Sequence, residues 1–247
     1  MNLLRSDQST LTVDQWNLLS NLLHCYDENA GLSLGAQYMS QQNNLPVQLR
    51  FQSSSIISLY QLMLDGAQLL YANNRDFLSL STDDRSILLH STLSYTGSIS
   101  LNFIVFKIRL VDSPSYYDAL EMITSPGIVS MARRFPARLN FDVIVMKLFL
   151  AILSFSTCRC TISPSTCSNN LSNVQEVLRI KDRYIELTWR YLLYKYGHKQ
   201  AVKCFSDFIR CIFLTNEALV AAEELQWFTN IIDSVAQKTE QSFSLND

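Results

Sequence analysis

Hydrophobic residues recur along the chain at intervals of three and four residues, which favours helices, and the first example lies near the N-terminus. Thr12 and Gln15 have the spacing of a capping box, in which each side chain satisfies a free backbone N–H, and apolar residues then recur at helical intervals. This predicts a first helix over about residues 13–28. The next segment, about 30–54, is polar and contains Pro46, so we predict a long mobile connection with little regular structure.

Two long apolar stretches predict the central helices. The first, 56–74, is apolar around most of its circumference, so a helix there must be covered on several sides. The second starts at 81–84, where hydroxyls and two carboxylates suit a helix N-terminus, and continues through 87–105 with Gly97 as a candidate break. Its β-branched end, 104–111, is compatible either with helix or with a short strand of one β-hairpin.

Three shorter apolar stretches follow, separated by Pro and turn residues. They predict helices over 116–123, 128–135 and 142–156. Short helices around a longer buried helix suggest a layered arrangement. The Ser/Thr/Asn-rich segment 156–173 is predicted to be a loop.

The last part of the chain predicts long helices. Ser172 and Gln175 again have capping-box spacing, and a helix is expected to run from there to Gly197, its C-cap. The stretch 199–237 contains neither Pro nor Gly, which is compatible with one very long helix or with two joined end to end. The tail, 238–247, is predicted to be frayed.

The composition supports a helical protein and limits the classes of partner that it can bind. Six Gly and five Pro in 247 residues are too few for an all-β sandwich. A formal net charge of −2 and a pI near 5.9 leave no excess of cations, so we expect no direct DNA binding. The stretch 101–111 is too short to span a membrane, and Asp142 and Lys147 interrupt 139–155. Buried core segments are therefore favoured over membrane spans, and the lack of a signal peptide favours an intracellular protein.

The sequence contains no motif for catalysis, for a cofactor or for a metal. Glycine-rich phosphate loops and nucleophile motifs are absent, so we expect no enzyme activity. Cys158, Cys160 and Cys167 offer too few ligands for zinc, with no His nearby, and we interpret them as loop thiols. The three histidines lie far apart, which favours surface or capping roles; they are His24, His90 and His198.

Two further groups of residues have alternative readings. Asp83 and Asp84 resemble a carboxylate pair for acid–base work, but their place at a predicted helix start favours capping. Met63, Met131 and Met146 suit either the wall of a lipophilic cavity or a packed core, and the sequence leaves both open.

One stretch resembles a family signature. An aromatic residue and Ala are followed by Phe, Leu, Asp and a Leu-Leu pair, the order in which helices 3 and 4 join in nuclear receptor ligand-binding domains. The matching residues are Tyr71, Ala72, Phe77, Leu80, Asp84, Leu88 and Leu89. The resemblance covers about 55–236 and implies one all-α domain over 1–247, with a core at about 13–236. The implied fold is a three-layer antiparallel helical sandwich.

The resemblance also implies a groove for the Leu-rich helix of a coactivator. The candidate groove residues are Leu69, Asn73, Ser86, Leu89 and His90. Asn73 stands where the family has its clamp lysine, and His90 where it has a supporting cation, so the clamp lacks its fixed charge. Glu240 is the only acidic residue before the terminal Asp247 that is placed to act as the other jaw.

The resemblance implies a function in transcription regulation, with a location in the nucleus and/or the cytoplasm. A lipophilic ligand of the sterol or fatty acid class is one expected partner. A second is another copy of the chain or a nuclear receptor, bound through a dimer face with Phe205, Phe208 and Ile212, for which core burial is the alternative. No paired four-cysteine zinc module precedes the first helix, so we expect no DNA-binding domain in this chain.

The alternative function is a ligand-independent helical module for interaction or dimerisation, without a transcriptional activation helix. The two hypotheses differ in one structural feature. A ligand sensor needs a cavity between the segments 56–73, 87–105 and 200–228, whereas an interaction module does not.

Overall fold

The computed structural model describes residues 11–25, 28–156 and 171–244, which are mostly helical. In chain order the helices are α1 (Val13–Cys25), α2 (Glu28–Asn43), α3 (Ser53–Ala67), α4 (Leu69–Ala72), α5 (Arg75–Leu78), α6 (Thr82–Lys107), α7 (Pro114–Ile123), α8 (Pro126–Ala132), α9 (Val143–Ser154), α10 (Val174–Ala222) and α11 (Gln226–Ser244). The described ranges contain no strand, which confirms the all-α class. The run 104–111 is the end of α6 followed by a 3-10 turn, so the short-strand alternative is wrong.

The start of α1 follows the predicted capping box. The backbone N–H of Thr12 donates to Gln15 Oε1 at 3.1 Å, and that of Gln15 donates to Thr12 Oγ1 at 3.3 Å. These reciprocal bonds satisfy two N–H groups that the first helical turn leaves free. The helix is described to Cys25, and residues 26 and 27 lie outside the described ranges.

Helix α6 continues through Gly97, where the sequence offers a break. Its first turn is capped by Ser81, whose Oγ accepts the backbone N–H of Asp84 at 3.2 Å. Gly97 is needed for a close approach instead: a Cβ there would lie 2.6 Å from Cδ2 of Leu64 in α3. The absent side chain therefore allows two central helices to pack tightly, while the helical backbone is retained.

Two hydrophobic clusters form the core, and α6 contributes to both. The larger cluster joins α6 to α1, α9, α10 and α11, and it contains the stacked rings of Phe149 and Phe208, 3.9 Å apart. The smaller cluster joins α6 to α3 and α7 through residues such as Ile104 and Tyr116. Because α6 is covered by both clusters, it is buried on most of its circumference.

The segment 30–54 is more ordered than its composition predicts. Helix α2 occupies residues 28–43, and a 3-10 turn follows at Val47–Leu49, so the prediction of little regular structure is wrong. Gly31 lies against α6, where a Cβ would come within 2.8 Å of Ile104. Apolar side chains of α2 such as Leu32 and Tyr38 pack on the smaller cluster. Tertiary contact therefore stabilises a helix whose own sequence is weakly patterned.

Helix α10 is interrupted at Gly197, as the sequence predicts. Gly197 has φ 72° and ψ 169°, a conformation essentially restricted to glycine, and helix continues on both sides of it. The stretch 199–237 then divides between the second half of α10 and α11, which confirms the two-helix alternative. We refer below to the first half of α10 (174–196) and the second half (198–222).

The N-terminus of α10 is capped by a different residue from the one predicted. Asn173 accepts the backbone N–H of Glu176 at 3.1 Å, so Ser172 is not the cap. The N–H and Oγ of Ser172 both donate to the carboxylate of Asp84, each at 2.6 Å. Asp84 thereby ties α6 to the start of α10. The predicted loop before it lies outside the described ranges from 157 to 170.

The predicted frayed tail is helical as far as it is described. Helix α11 runs to Ser244, and Phe243 is only 2% exposed. The Phe243 ring lies 5.9 Å from Phe77 and 5.2 Å from the Arg85 guanidinium. A single buried aromatic side chain therefore anchors the end of the helix, which overrides the polar character of the tail.

Candidate functional site

The residues predicted for the coactivator groove differ widely in exposure. Leu89 is buried in the larger cluster and Leu69 packs half-buried against it, whereas Asn73 and His90 are exposed and Ser86 is half-buried. The structure brings Ser86 and His90 together on one side of α6, one helical turn apart. This part of the predicted groove is in contact with the last helix of the chain.

Helix α11 binds that surface through Glu240. Ser86 Oγ donates to Glu240 Oε1 at 2.5 Å, and His90 Nε2 lies 3.0 Å from the same oxygen. Two residues earlier in α11, Lys238 forms an ion pair with Asp65 of α3 at 3.0 Å. A helix that binds from outside would have to compete with these contacts of Glu240.

The signature residues hold α4, α5 and α6 together. Tyr71 is fully buried, and its hydroxyl lies 2.9 Å from Thr92 Oγ1 and 2.7 Å from Thr96 Oγ1. Burial raises the pKa of Tyr71, so the hydroxyl stays neutral. Burial also favours the neutral form of Asp84, but hydrogen bonds from Ser172 outweigh this effect and lower the pKa of Asp84. These contacts are structural: Ser81 caps α6, and the Asp84 carboxylate joins α6 to the start of α10.

A cavity of about 80 Å³ lies between α3, α6, α7, α8, the second half of α10 and the start of α11. Its walls include residues from each of the three segments that a ligand sensor would need. Among the wall residues are Tyr60, Leu101, Asn102, Thr215, Leu219 and Phe228. The lining is chiefly apolar, and none of the described residues that line it is charged.

Thr215 is the unusual residue of the cavity wall. It is 1% exposed, and its Oγ1 has no hydrogen-bond partner among the described residues. The other buried threonines in the described ranges each donate to the carbonyl oxygen four residues earlier; they are Thr92, Thr96, Thr188 and Thr239. The hydroxyl of Thr215 does not use this ordinary acceptor, and its Oγ1 is enclosed by protein atoms rather than facing the open space of the cavity.

The other polar groups of the wall are largely engaged within the protein. Thr124 Oγ1 donates to the backbone oxygen of Leu120 at 2.7 Å, and Asn102 Nδ2 donates to that of Ser98 at 2.8 Å. The Tyr60 hydroxyl lies 2.6 Å from that of Tyr116, and burial raises the pKa of Tyr60 to about 12. These polar groups are therefore engaged within the protein, and the cavity is bounded chiefly by apolar side chains.

A surface groove borders the cavity. The groove encloses about 140 Å³ between α6, the end of α10 and the start of α11. Leu219, Ala222 and Phe228 line both spaces. Trp227 Nε1 donates to the backbone oxygen of Ile123 at 2.9 Å and so fixes the start of α11 beside α7. The partition between cavity and groove thus consists mainly of apolar side chains near the start of α11.

The predicted dimer face belongs partly to the core. Phe208 is 2% exposed and stacks on Phe149, while Phe205 and Ile212 are half-buried. Other apolar residues of the second half of α10 are exposed instead. They are Val202, Ile209, Phe213 and Val220, and Phe213 is 71% exposed.

The remaining candidates have structural surroundings. Met63, Met131 and Met146 are all buried and none lines the cavity, so they fill the core. Among the described residues no cluster of His, Cys, Asp or Glu is arranged to hold a metal. Cys158, Cys160 and Cys167 fall outside the described ranges. No helix in the described ranges combines the length and the hydropathy that a membrane span requires.

Sequence reasoning missed Thr215, because a lone Thr within a helix looks the same whether or not its hydroxyl has a partner. Comparison with the models of known protein families and with curated proteins finds no match for this chain.

Proposed function

We propose that the chain is a nuclear-receptor-like ligand-binding domain that acts in transcription regulation through protein contacts and a small lipophilic ligand. The observation that carries this proposal is the chiefly apolar cavity between α3, α6 and the second half of α10. Apolar cavities with one or a few polar groups are the usual form of small-molecule sites. The resemblance of residues 71–90 to the family signature is the basis for the proposed family and for the proposed three-layer helical arrangement.

The proposed mode of action couples the cavity to the position of α11. Leu225, Trp227 and Phe228 at the start of α11 form part of the cavity wall. The same helix carries Glu240, which binds Ser86 and His90. A ligand that fits the cavity better when α11 is docked would increase the population of that state and so change the surface that a protein partner meets. In this proposal the chain works within the cell and does not bind DNA itself.

Native mass spectrometry of the purified chain, compared with the denatured chain, tests the proposal. A small neutral molecule retained at stoichiometric amount supports ligand binding. The native mass also gives the oligomeric state. A bare mass that stays unchanged after incubation with small lipophilic molecules contradicts a ligand sensor.

A second candidate function is a ligand-independent dimerisation module, and the exposed apolar residues of the second half of α10 favour it. Exposed apolar patches mark interaction sites more often than single exposed apolar residues do. Phe213→Glu should abolish a dimer observed by sedimentation, since it places a charge in the centre of this patch. Met122→Glu is the matched control, because Met122 is 79% exposed but lies on α7. A wild-type chain that remains monomeric contradicts this candidate.

A further inference from the structure

We infer that the chain binds peripherally to the anionic surface of a lipid bilayer through a short exposed turn between α2 and α3. The turn consists of residues 45–49, and we refer to it as the apolar turn. Its large apolar side chains are Leu45, Val47 and Leu49, and all of them are exposed, Val47 to 66%. The 3-10 turn Val47–Leu49 contains no buried residue. These side chains therefore belong to neither hydrophobic cluster of the core.

The backbone around the apolar turn is fixed by hydrogen bonds from the residues that follow it. Arg50 donates from Nε to the backbone oxygen of Leu45 and from Nη2 to that of Asn43, both at 2.9 Å. The backbone N–H of Phe51 donates to Oε1 of the buried Gln42 at 2.7 Å. Phe51 has φ 53°, a left-handed conformation that is unfavourable for a residue with a bulky side chain. Local strain of this kind is concentrated at functional sites, and here it presents apolar side chains to solvent in a fixed arrangement.

The sequence around the apolar turn and the groove beside it carry positive charge without acidic residues. Between Glu28 and Asp65 the only charged residue is Arg50. The groove is lined by residues at the end of α2, such as Asn44, and by Lys107 at the end of α6, and none of its described lining residues is acidic. None of the ion pairs among the described residues includes Lys107. Both cations can therefore attract an anionic surface, although the net charge of the whole chain is −2.

The small area of the apolar turn favours a bilayer over a protein partner. A stable protein interface involves about 20–30 residues on each side, far more than this turn offers. A bilayer accommodates a small apolar group of residues and adds the attraction between anionic head groups and nearby Lys and Arg side chains. In the bound state the apolar side chains of the turn enter the boundary of the acyl region, while Arg50 and Lys107 lie at the level of the head groups.

The test is cosedimentation of the full chain with phosphatidylcholine vesicles and with vesicles of equal parts phosphatidylcholine and phosphatidylserine. The wild-type chain should bind the serine-containing vesicles more tightly and should be released from them by salt. Val47→Asp should lower the partition onto these vesicles at least about tenfold, because it replaces an apolar contact with a charge. Val174→Asp is the matched control, because Val174 is also exposed, lies on α10, and its replacement changes the net charge equally.

Lys107→Gln tests the electrostatic contribution separately. It should lower the partition onto serine-containing vesicles about fivefold, the size expected for one lysine close to an anionic surface, and should leave binding to phosphatidylcholine unchanged. Lys203→Gln is the control for this change, because it removes an exposed lysine of α10, and it should have a smaller effect.

Two results would overturn the inference. They are a wild-type chain that stays in the supernatant with both kinds of vesicle, and a Val47→Asp variant that binds as tightly as Val174→Asp. Leu49→Ser adds no charge and should also lower the partition, so it provides the comparison should Val47→Asp fail to fold. Sedimentation velocity without vesicles tests the alternative occupant. A dimer that Val47→Asp dissociates and Val174→Asp does not would assign the apolar turn to a second copy of the chain and contradict membrane binding.

Discussion

The two halves of α10 pack in different ways on either side of Gly197. In the first half the Tyr184 hydroxyl donates to Asp76 at 3.0 Å, and Thr188 and Tyr196 also have hydrogen-bond partners. In the second half the Thr215 hydroxyl has no partner among the described residues, and the helix lines a cavity on one side while it exposes apolar residues on another. A fully satisfied region contributes stability, whereas unsatisfied groups and voids reduce it and are more often found at binding sites.

The largest expected effect is the removal of a ring that is packed between α9 and the second half of α10, away from the cavity. Phe149 is fully buried and stacks on Phe208 at 3.9 Å. Phe149→Ala should lower the free energy of unfolding by about 3–5 kcal/mol, because it leaves a cavity in a densely packed cluster. Chemical denaturation measures this loss. A loss below about 1 kcal/mol would show that this region is as loosely packed as the wall beside Thr215.

Asp142 provides the next largest effect. It caps α9 through the Val145 N–H and accepts bonds from Lys195 and Tyr196, each at 2.6 Å. Lys195 is 38% exposed, so solvent screening reduces the contribution of the pair. Asp142→Asn keeps a capping side chain but removes the charge, and it should lower the free energy of unfolding by about 1–2 kcal/mol.

The contribution of Asp142 should also depend on pH. Burial favours its neutral form, but bonds from Lys195, Tyr196 and Val145 outweigh burial and lower the pKa of Asp142. Because the unfolded pKa is about 3.9, the stabilisation is present above that value and is lost as pH falls through the folded pKa. Hydrogen bonding to Asp142 raises the pKa of Lys195, so its contribution is complete below about pH 10.4 and is lost as pH rises through the folded value. Unfolding curves of wild type and Asp142→Asn should therefore differ most at intermediate pH and converge in acid.

The smallest expected effect has opposite signs in the two halves of α10. Thr188→Val removes a satisfied hydrogen bond and should lower the free energy of unfolding by about 1 kcal/mol. Thr215→Val removes an unsatisfied buried hydroxyl and should raise it by about 1 kcal/mol. Thermal unfolding of both variants without ligand provides the measurement. Destabilisation of similar size by both changes would mean that the Thr215 hydroxyl is satisfied in solution.

Much of the fold follows from local sequence signals. The capping box at Thr12 and Gln15, the helices at α7 to α9 and the interruption at Gly197 depend on residues close to one another in the chain. Helix α2 and the end of α11 were not predictable in the same way. Gly31 packs against Ile104, and Phe243 packs against Phe77, and in both pairs the two residues are distant in sequence.

The candidate site was predictable only in outline. The three segments around a cavity follow from the family resemblance, and a cavity lies between them. Its volume and the state of the Thr215 hydroxyl depend on how far side chains from six helices fill the shared space. Side-chain packing of this kind is a property of the assembled core and leaves no signal in a single sequence.

The central claim is that the cavity between α3, α6 and the second half of α10 binds small lipophilic molecules, and methyl NMR of alanine-labelled protein tests it most directly. Ala132, Ala218 and Ala222 line the cavity, whereas Ala151 and Ala201 are buried in the larger cluster away from it. Titration with 1-propanol should shift the first three methyl signals in a saturable manner and leave the other two unchanged. Signals that do not move, or that all move together without saturation, would contradict the claim.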